Sequence, residues 1–410
     1  MNDLQKKIYD RFVRYISVET TSDGTSDTVP TTVTQLAFGK MLAQEMKEIG
    51  ISDVEIDKKG FIYGQVPGNI DGVPVVGFLA HMDTVEDYCG KNIKPVIHKN
   101  YPGGDLVINA AKNMVLSVKN APDLMKCVGH DIVTSDGNTL LGGDDKIGIA
   151  LIMTLCEYLL AHPEIKHGPV KVSFTIDEET GTGIQYFDLK RFGADFAYTV
   201  DGADLGKIDY GNFNADGFTI QIEGKNCHPG SAKDFMANPV RIASDIVSSW
   251  PENKLPETTE GEEGFILFLN MQAQLDSATL KGIIRHHDIE QFEQFKKDLQ
   301  ALVAEKQAKY PNAKIHLEIK KQYRNMREVL KEKPQAMDVL KAALTAENVD
   351  YKLVQARGGT DGAQLSLRGL PTPNIFASYE NPHGPYEWLS LQWSEITFNV
   401  LKRIVELAAK

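Results

Sequence analysis

Residues 73–81 read VPVVGFLAH, with six apolar side chains in nine positions and no helical spacing among them. A run apolar on both alternating sets of positions has no solvent face. It predicts a strand buried on both sides, as in a parallel sheet covered by helices. That single expectation restricts the chain to an α/β architecture. His81 and Asp83 then fall at the C-terminal end of the strand, where parallel sheets build their sites. Two positions apart on extended chain, they point the same way.

The rest of the sequence supports a sheet with helices on its faces. Leu4, Ile8, Phe12 and Ile16 recur at helical spacing, so the N-terminus predicts an amphipathic, charged helix with none of the character of an apolar secretory leader. A Thr/Ser-rich stretch near residues 19–35 reads as a loop, and LAFGKMLAQEMKEIG as a helix stopped by Gly50. GFIYGQVPG, VKVSFTID and DFAYTVDG read as strands, and IGIALIMTLCEYLLAH as a strongly apolar helix. Near residue 213 the pattern changes to strand, helix, two strands, helix and strand, a ferredoxin-like order. Its long helix carries Ile289, Phe292, Phe295, Leu299, Leu302 and Val303 on one face. With 410 residues, too many for one ordinary core, the expectation is an α/β domain formed by residues 1–212 and 324–410, interrupted by a small α+β domain at 213–323.

Charge and cysteine content narrow the partners. A formal net charge of -12 disfavours phosphate backbones and anionic membranes, so neither nucleic acid nor membrane is expected. No apolar run approaches the roughly 18 residues that span a bilayer. Cys89, Cys127, Cys156 and Cys227 are scattered without CxxC spacing, which suits reduced thiols in a cytoplasmic protein.

Carboxylates and imidazoles gather at predicted strand ends, in AHMDT, LLGGDDKIG, FTIDEETG and YTVDG, with a further histidine in NPHGPYE. Singly, each has an ordinary explanation: a hydrogen-bonded histidine, a solvated acidic turn, the first turn of a helix. Together they supply two imidazoles and several carboxylates, the ligand types of zinc and related divalent ions. So many like charges in one place are costly without a cation. A pair of ions about 3.5–4 Å apart needs one carboxylate bridging both, with further ligands on each side. His98, His130, His162, His167, His286, His287 and His316 lack such settings and read as structural or surface residues.

The ordered motifs HMDT, GGDDKIG, DEETG, VDG and NPHGPYE resemble those of the M20 di-zinc metallopeptidases. TDGNTLLGGDDKIGIA, NCHPGSAKDFMANP and RGGTDGAQLSLRGLPTPNIF are similar to the tripeptide-aminopeptidase branch of that family, and the likeness spans nearly the whole chain. Ile176, where a proline is common, and the form of NPHGPYE depart from the pattern without removing a ligand. The resemblance implies an M20-type catalytic domain, a mixed sheet flanked by helices, with an inserted ferredoxin-like lid and dimerisation domain. It implies two zinc ions per subunit, other divalent metals being admissible, and hydrolysis of the N-terminal bond of tripeptides by a water shared between them.

Residue by residue, the resemblance makes Asp144 the bridging carboxylate, with His81 and Asp201 completing one metal site and Glu179 and His383 the other. Asp83 would orient His81, and Glu178 would be the general base. His228, from the inserted domain, would stabilise the oxyanion. Arg285 and Arg357 are candidates for the substrate carboxylate, since guanidinium offers it a bidentate match. A short peptide is the expected substrate and a homodimer through the inserted domain the expected assembly. The alternatives are another M20 hydrolase, either a dipeptidase or an N-acyl amino acid deacylase, a non-catalytic member that keeps the fold, and a two-metal phosphatase or nuclease. The excursion from residue 88 to 130 exceeds what such a core needs and is expected to form a hairpin and loops near the site.

Overall fold

A computed structural model describes all residues 1–410. The chain divides into two compact units: residues 1–210, 327–354 and 360–410 form the larger, and residues 211–326 with 355–359 the smaller.

The larger unit is built on a mixed sheet. Its centre is four parallel strands, in the order Val170–Thr175, Val76–His81, Phe196–Ala203 and Asn374–Glu380. Antiparallel strands extend it on both sides, Ile62–Val66 and Ser52–Ile56 beyond the first, Trp388–Ser390, Ile132–Ser135 and Pro95–His98 beyond the last. Every residue of Val76–His81 is buried. The reason is its central place, with Phe78 stacked on Tyr198 of the neighbouring strand at 5.8 Å and the helix Gly143–Ala161 against it. Burying each such large apolar side chain stabilises the unit by roughly 1.5–3 kcal/mol. The terminal helices Asp3–Ile16 and Leu391–Ala408 both pack on Gly143–Ala161.

The Thr/Ser-rich stretch is loop up to Thr32, and the following helix spans Val33–Glu48, three residues earlier than the sequence pattern suggests. The extension is exposed at Val33, so apolar periodicity gives no signal for it. The 88–130 excursion contains the strand Pro95–His98, the antiparallel hairpin Leu106–Asn109 with Met114–Leu116, and the 3-10 turn Pro122–Cys127. It has a small core of its own, in which Tyr101, Leu116 and Leu124 join Trp388 and Trp393.

In the smaller unit the strands Phe265–Ala273, Ser277–His286, Asn214–Glu223 and Lys314–Tyr323 lie side by side in that order, all antiparallel. The helices Pro239–Ser249 and Ile289–Lys309 bury Ile242, Ile246, Phe292, Phe295 and Leu299 against Ile220, Leu280 and Ile284 of the sheet. Ile289, expected on the buried face, is 47% exposed because it opens the helix beyond the edge of the core. Residues 355–359, expected with the larger domain, cluster with the smaller unit. Their polar groups explain it: Asn325 donates to Gln355 at 2.8 Å, His287 Nε2 meets the Ala356 carbonyl at 3.0 Å, and Arg357 donates to the carbonyls of Gly261 and Glu263.

The central helix sits tightly against the sheet at Gly148. A Cβ there would lie 2.1 Å from the Val200 carbonyl oxygen and 2.3 Å from Asp145 Oδ1. Gly148→Ala is therefore expected to cost about 1–3 kcal/mol through overpacking, read as a lower urea midpoint. An unchanged midpoint would refute the close approach.

Candidate metal centre

Four parallel strands end together, and each end delivers a side chain. His81 is the last residue of Val76–His81, and Asp201 lies near the end of Phe196–Ala203. Glu178 and Glu179 follow Val170–Thr175, and His383 follows Asn374–Glu380. Asp144 enters from another direction, in the first turn of Gly143–Ala161. Its peptide bond to Asp145 is cis.

Asp144 joins two triads. Its Oδ1 lies 2.9 Å from His81 Nε2, which is also 3.4 Å from Asp201 Oδ1. Its Oδ2 lies 3.2 Å from His383 Nε2, which is 3.2 Å from Glu179 Oε2. Within His81, Asp144 and Asp201, and again within Asp144, Glu179 and His383, potential ligand atoms lie within 4.8 Å of one another.

Main-chain bonds hold these groups. His81 Nδ1 is 3.0 Å from the Asp83 carbonyl oxygen and 3.5 Å from its carboxylate. A carbonyl only accepts, so Nδ1 carries the proton and Nε2 faces Asp144 and Asp201. The Asp83 carboxylate stands beside the same ring nitrogen and helps to hold His81 above its ordinary pKa. The Asp83 carbonyl makes the closer contact with His81, and the Asp83 carboxylate, fully buried, also accepts the N–H groups of Glu178 at 3.0 Å and Glu179 at 3.2 Å. Asp177 anchors the same loop by accepting from Thr31 and Gln35.

Four further acids sit around the centre that sequence reasoning left without a role. Glu387 is buried and accepts the N–H groups of Leu141, Gly142 and Asp144 at 2.8–2.9 Å, placing a carboxylate at the helix start where the dipole favours it. Asp145 accepts the His81 N–H at 3.1 Å. Asp361, at the start of Asp361–Leu367, is buried, and Tyr379 donates to the Asp201 carbonyl at 2.9 Å. The fourth acid is Asp177. The signal for Glu387 was present, an acid four residues beyond His383, but its partners are peptide groups that leave no trace in side-chain chemistry.

The electrostatics show a cluster short of positive charge. Burial pushes Glu179 up to about 7 and Asp201 up to about 6, with Asp144 adding to both. Glu178, half-buried, is raised well above the usual carboxylate range by desolvation and then by Asp201. Hydrogen bonds to Asp144 and Glu179 raise His383 to about 11. Burial alone would depress His81, yet Asp201, Asp144 and Asp83 hold it well above its ordinary value. Protons are standing where a cation would serve, and Glu179 Oε1 is buried with no hydrogen-bond partner. Two imidazoles, three carboxylates and one orphaned buried oxygen fit a pair of divalent ions.

The remaining expected site residues belong to the smaller unit. His228 is exposed, and its Nδ1 accepts from the Gly230 N–H at 3.1 Å. Arg285 donates to the carbonyls of Asp216 and Ile284 and lies over the Tyr323 ring. Arg357 has both terminal nitrogens occupied, by the carbonyls of Gly261 and Glu263 and by Thr259.

Comparison with known proteins follows the same lines. A family profile described as a peptidase dimerisation domain matches residues 210–311. A peptidase T of Geobacillus sp. (strain WCH70) is 47% identical over 405 residues, covering 98% of this chain and 99% of that protein. A peptidase T of Caldanaerobacter subterraneus subsp. tengcongensis is 44% identical over the same length, with the same coverage. Among solved structures, aminopeptidase PepT from Bacillus cereus shares the fold with a TM-score of 0.78 at 21% identity, over 99% of each chain. A tripeptidase from Staphylococcus aureus does so with a TM-score of 0.76 at 19% identity, over 99% of this chain and 98% of that one.

Linkage makes this centre testable. A carboxylate raised on folding contributes stability below its unfolded pKa of about 4 and loses it as pH rises through the folded value. That window extends to about 6 for Asp201 and about 7 for Glu179. His383, at about 11, contributes fully below its unfolded value and loses that contribution as pH climbs toward 11. Both trends weaken the metal-free protein as pH rises, whereas metal binding needs these groups deprotonated and strengthens. The difference in Tm between zinc-loaded and chelated protein should therefore widen from pH 5 to pH 8, and a constant difference would contradict the assignment.

Proposed function

The chain belongs to the peptidase T family of M20 peptidases, and from that membership we propose a metal-dependent aminopeptidase that removes the N-terminal residue of tripeptides. The observation that carries the reading is the shared carboxylate of Asp144, with one oxygen toward each histidine.

In this reading His81, Asp144 and Asp201 would hold one zinc ion, and Asp144, Glu179 and His383 the other. Bound zinc supplies Lewis-acid polarisation of the scissile carbonyl and lowers the pKa of the attacking water. Glu178 would take a proton from the attacking water at its carboxylate and return it to the departing amine nitrogen. Its loop position suits the task, because Asp83 fixes the N–H groups of both glutamates and so separates the base from the adjacent ligand. Asp83 acts as a positioning residue. His228 is the candidate donor to the oxygen on which negative charge develops. Arg285 is the better candidate for the peptide's C-terminal carboxylate, since Arg357 is already engaged at both terminal nitrogens.

A homodimer through the smaller unit is part of the proposal. The dimerisation-domain match covers most of that unit, and its edge strand Phe265–Ala273 exposes Leu269 and Met271. The four cysteines are unpaired, which supports a reducing cytoplasmic setting. No helix is long and apolar enough to cross a membrane.

Glu178→Gln should retain bound zinc, measured by metal analysis of the purified protein, while kcat falls at least about a hundredfold. Near-parental kcat would remove Glu178 from the base role. Substrate class is read separately, with one free tripeptide beside its dipeptide, tetrapeptide and N-acetylated counterparts, zinc-loaded and chelated. Metal-dependent release of the first residue from the free tripeptide is expected. Preferential cleavage of the dipeptide or the acetylated peptide would move the protein to a dipeptidase or deacylase activity.

A further inference from the structure

A second acidic group lies within the larger unit, built from three separate parts of the chain. Asp123 belongs to the 3-10 turn Pro122–Cys127, Asp204 follows the strand Phe196–Ala203, and Glu380 ends the strand Asn374–Glu380. Each offers a carboxylate oxygen within 4.8 Å of the other two. None of the three is a residue of the centre described above.

The cluster is incompletely neutralised. Lys126 pairs with Asp123 at 2.6 Å from a largely solvated position, and Lys207, partly exposed, lies 3.5 Å from Asp204. No basic side chain forms an ion pair with Glu380, which is only 7% exposed and whose Oε1 is buried without a hydrogen-bond partner. Burial first, and Asp204 next, push the Glu380 carboxyl up to about 9. A buried acid facing another acid, with one oxygen unpartnered, leaves a place for a cation. Asp123 and Asp204 also line a cavity of about 740 Å³, so solvent and ions have a route to them.

We propose that Asp123, Asp204 and Glu380 bind a hard divalent cation, calcium in the first instance, at a site separate from the dinuclear centre. The donor set is all oxygen, with no imidazole or thiolate, which selects against zinc and for calcium or magnesium. Calcium takes oxygens at about 2.3–2.6 Å, so two ligands on opposite sides of one ion lie about 5 Å apart at most. One carboxylate oxygen of each of these three acids lies within 4.8 Å of those of the other two, inside that limit. Magnesium demands shorter bonds and stricter octahedral geometry. Water filling the cavity completes the coordination.

The site gives the 88–130 excursion a purpose. Asp204 lies three residues beyond Asp201, and Glu380 three before His383. A cation bound there ties Asp123, and with it the excursion, to the ends of the strands Phe196–Ala203 and Asn374–Glu380.

The test uses the full-length protein with zinc saturating the dinuclear centre. Terbium is titrated in, with emission excited through tryptophan, because Trp393 lines the same cavity; calcium then competes, and Tm is measured with and without calcium. Tryptophan-sensitised emission displaced by calcium is expected, together with a calcium-dependent rise in Tm of several degrees. Both should weaken at least tenfold in apparent affinity in Glu380→Gln and in Asp123→Asn, the second being a partly exposed position that cannot compromise the core. Absence of competable emission and of any calcium-dependent rise would overturn the proposal, leaving a carboxyl–carboxylate pair sharing a proton. Retention of the full response in both variants would overturn it equally.

Discussion

One carboxylate between two imidazoles organises the larger unit. Asp144 presents each oxygen to a different histidine while Asp201 and Glu179 close in from either side. Such a concentration of negative charge in a buried place is unstable unless protons or cations offset it. The surrounding structure keeps the acids where repulsion would separate them. Four parallel strands end at one level, which fixes His81, Asp201, the Glu178–Glu179 loop and the approach to His383. The central helix brings Asp144 to the same point, and Gly148 lets that helix approach the sheet closely enough.

Peptide N–H groups and a few side chains hold this arrangement in place. Glu387 accepts three N–H groups at the helix start, Asp83 two from the glutamate loop, and Asp177 holds the base of that loop through Thr31 and Gln35. Leaving any of these buried donors unsatisfied would cost about 1–3 kcal/mol each. These acids therefore hold the segments that carry the candidate ligands. The same economy of form recurs at Asp123, Asp204 and Glu380, where acids from three segments meet with one oxygen left open.

Much of this was legible in the chain. The run at 73–81 marks a strand buried on both faces because nothing along it can face water, and the strand that forms is buried throughout. The apolar face of Ile289–Lys309 is visible for the same reason, though its first residue turns outward. Less visible was anything mediated by the main chain. The sequence places Asp83 beside His81 but does not reveal that the carbonyl, rather than the carboxylate, makes the closer bond. Arg357 reads as a candidate for the substrate carboxylate until its carbonyl partners are located about a hundred residues away in the chain.

Sequence alone determined the chemical inventory: which strands must be buried, which acids and histidines stand at their ends, and the family in which that order recurs. These follow from hydrophobic periodicity and residue type, which are local properties. Tertiary structure alone decided which ends converge, that Asp144 divides its two oxygens between two histidines, and that Glu387, Asp361 and Glu380 are buried. Those outcomes depend on distances between segments far apart in the chain. Burial and proximity alter an acid's charge state only once packing has removed the water around it.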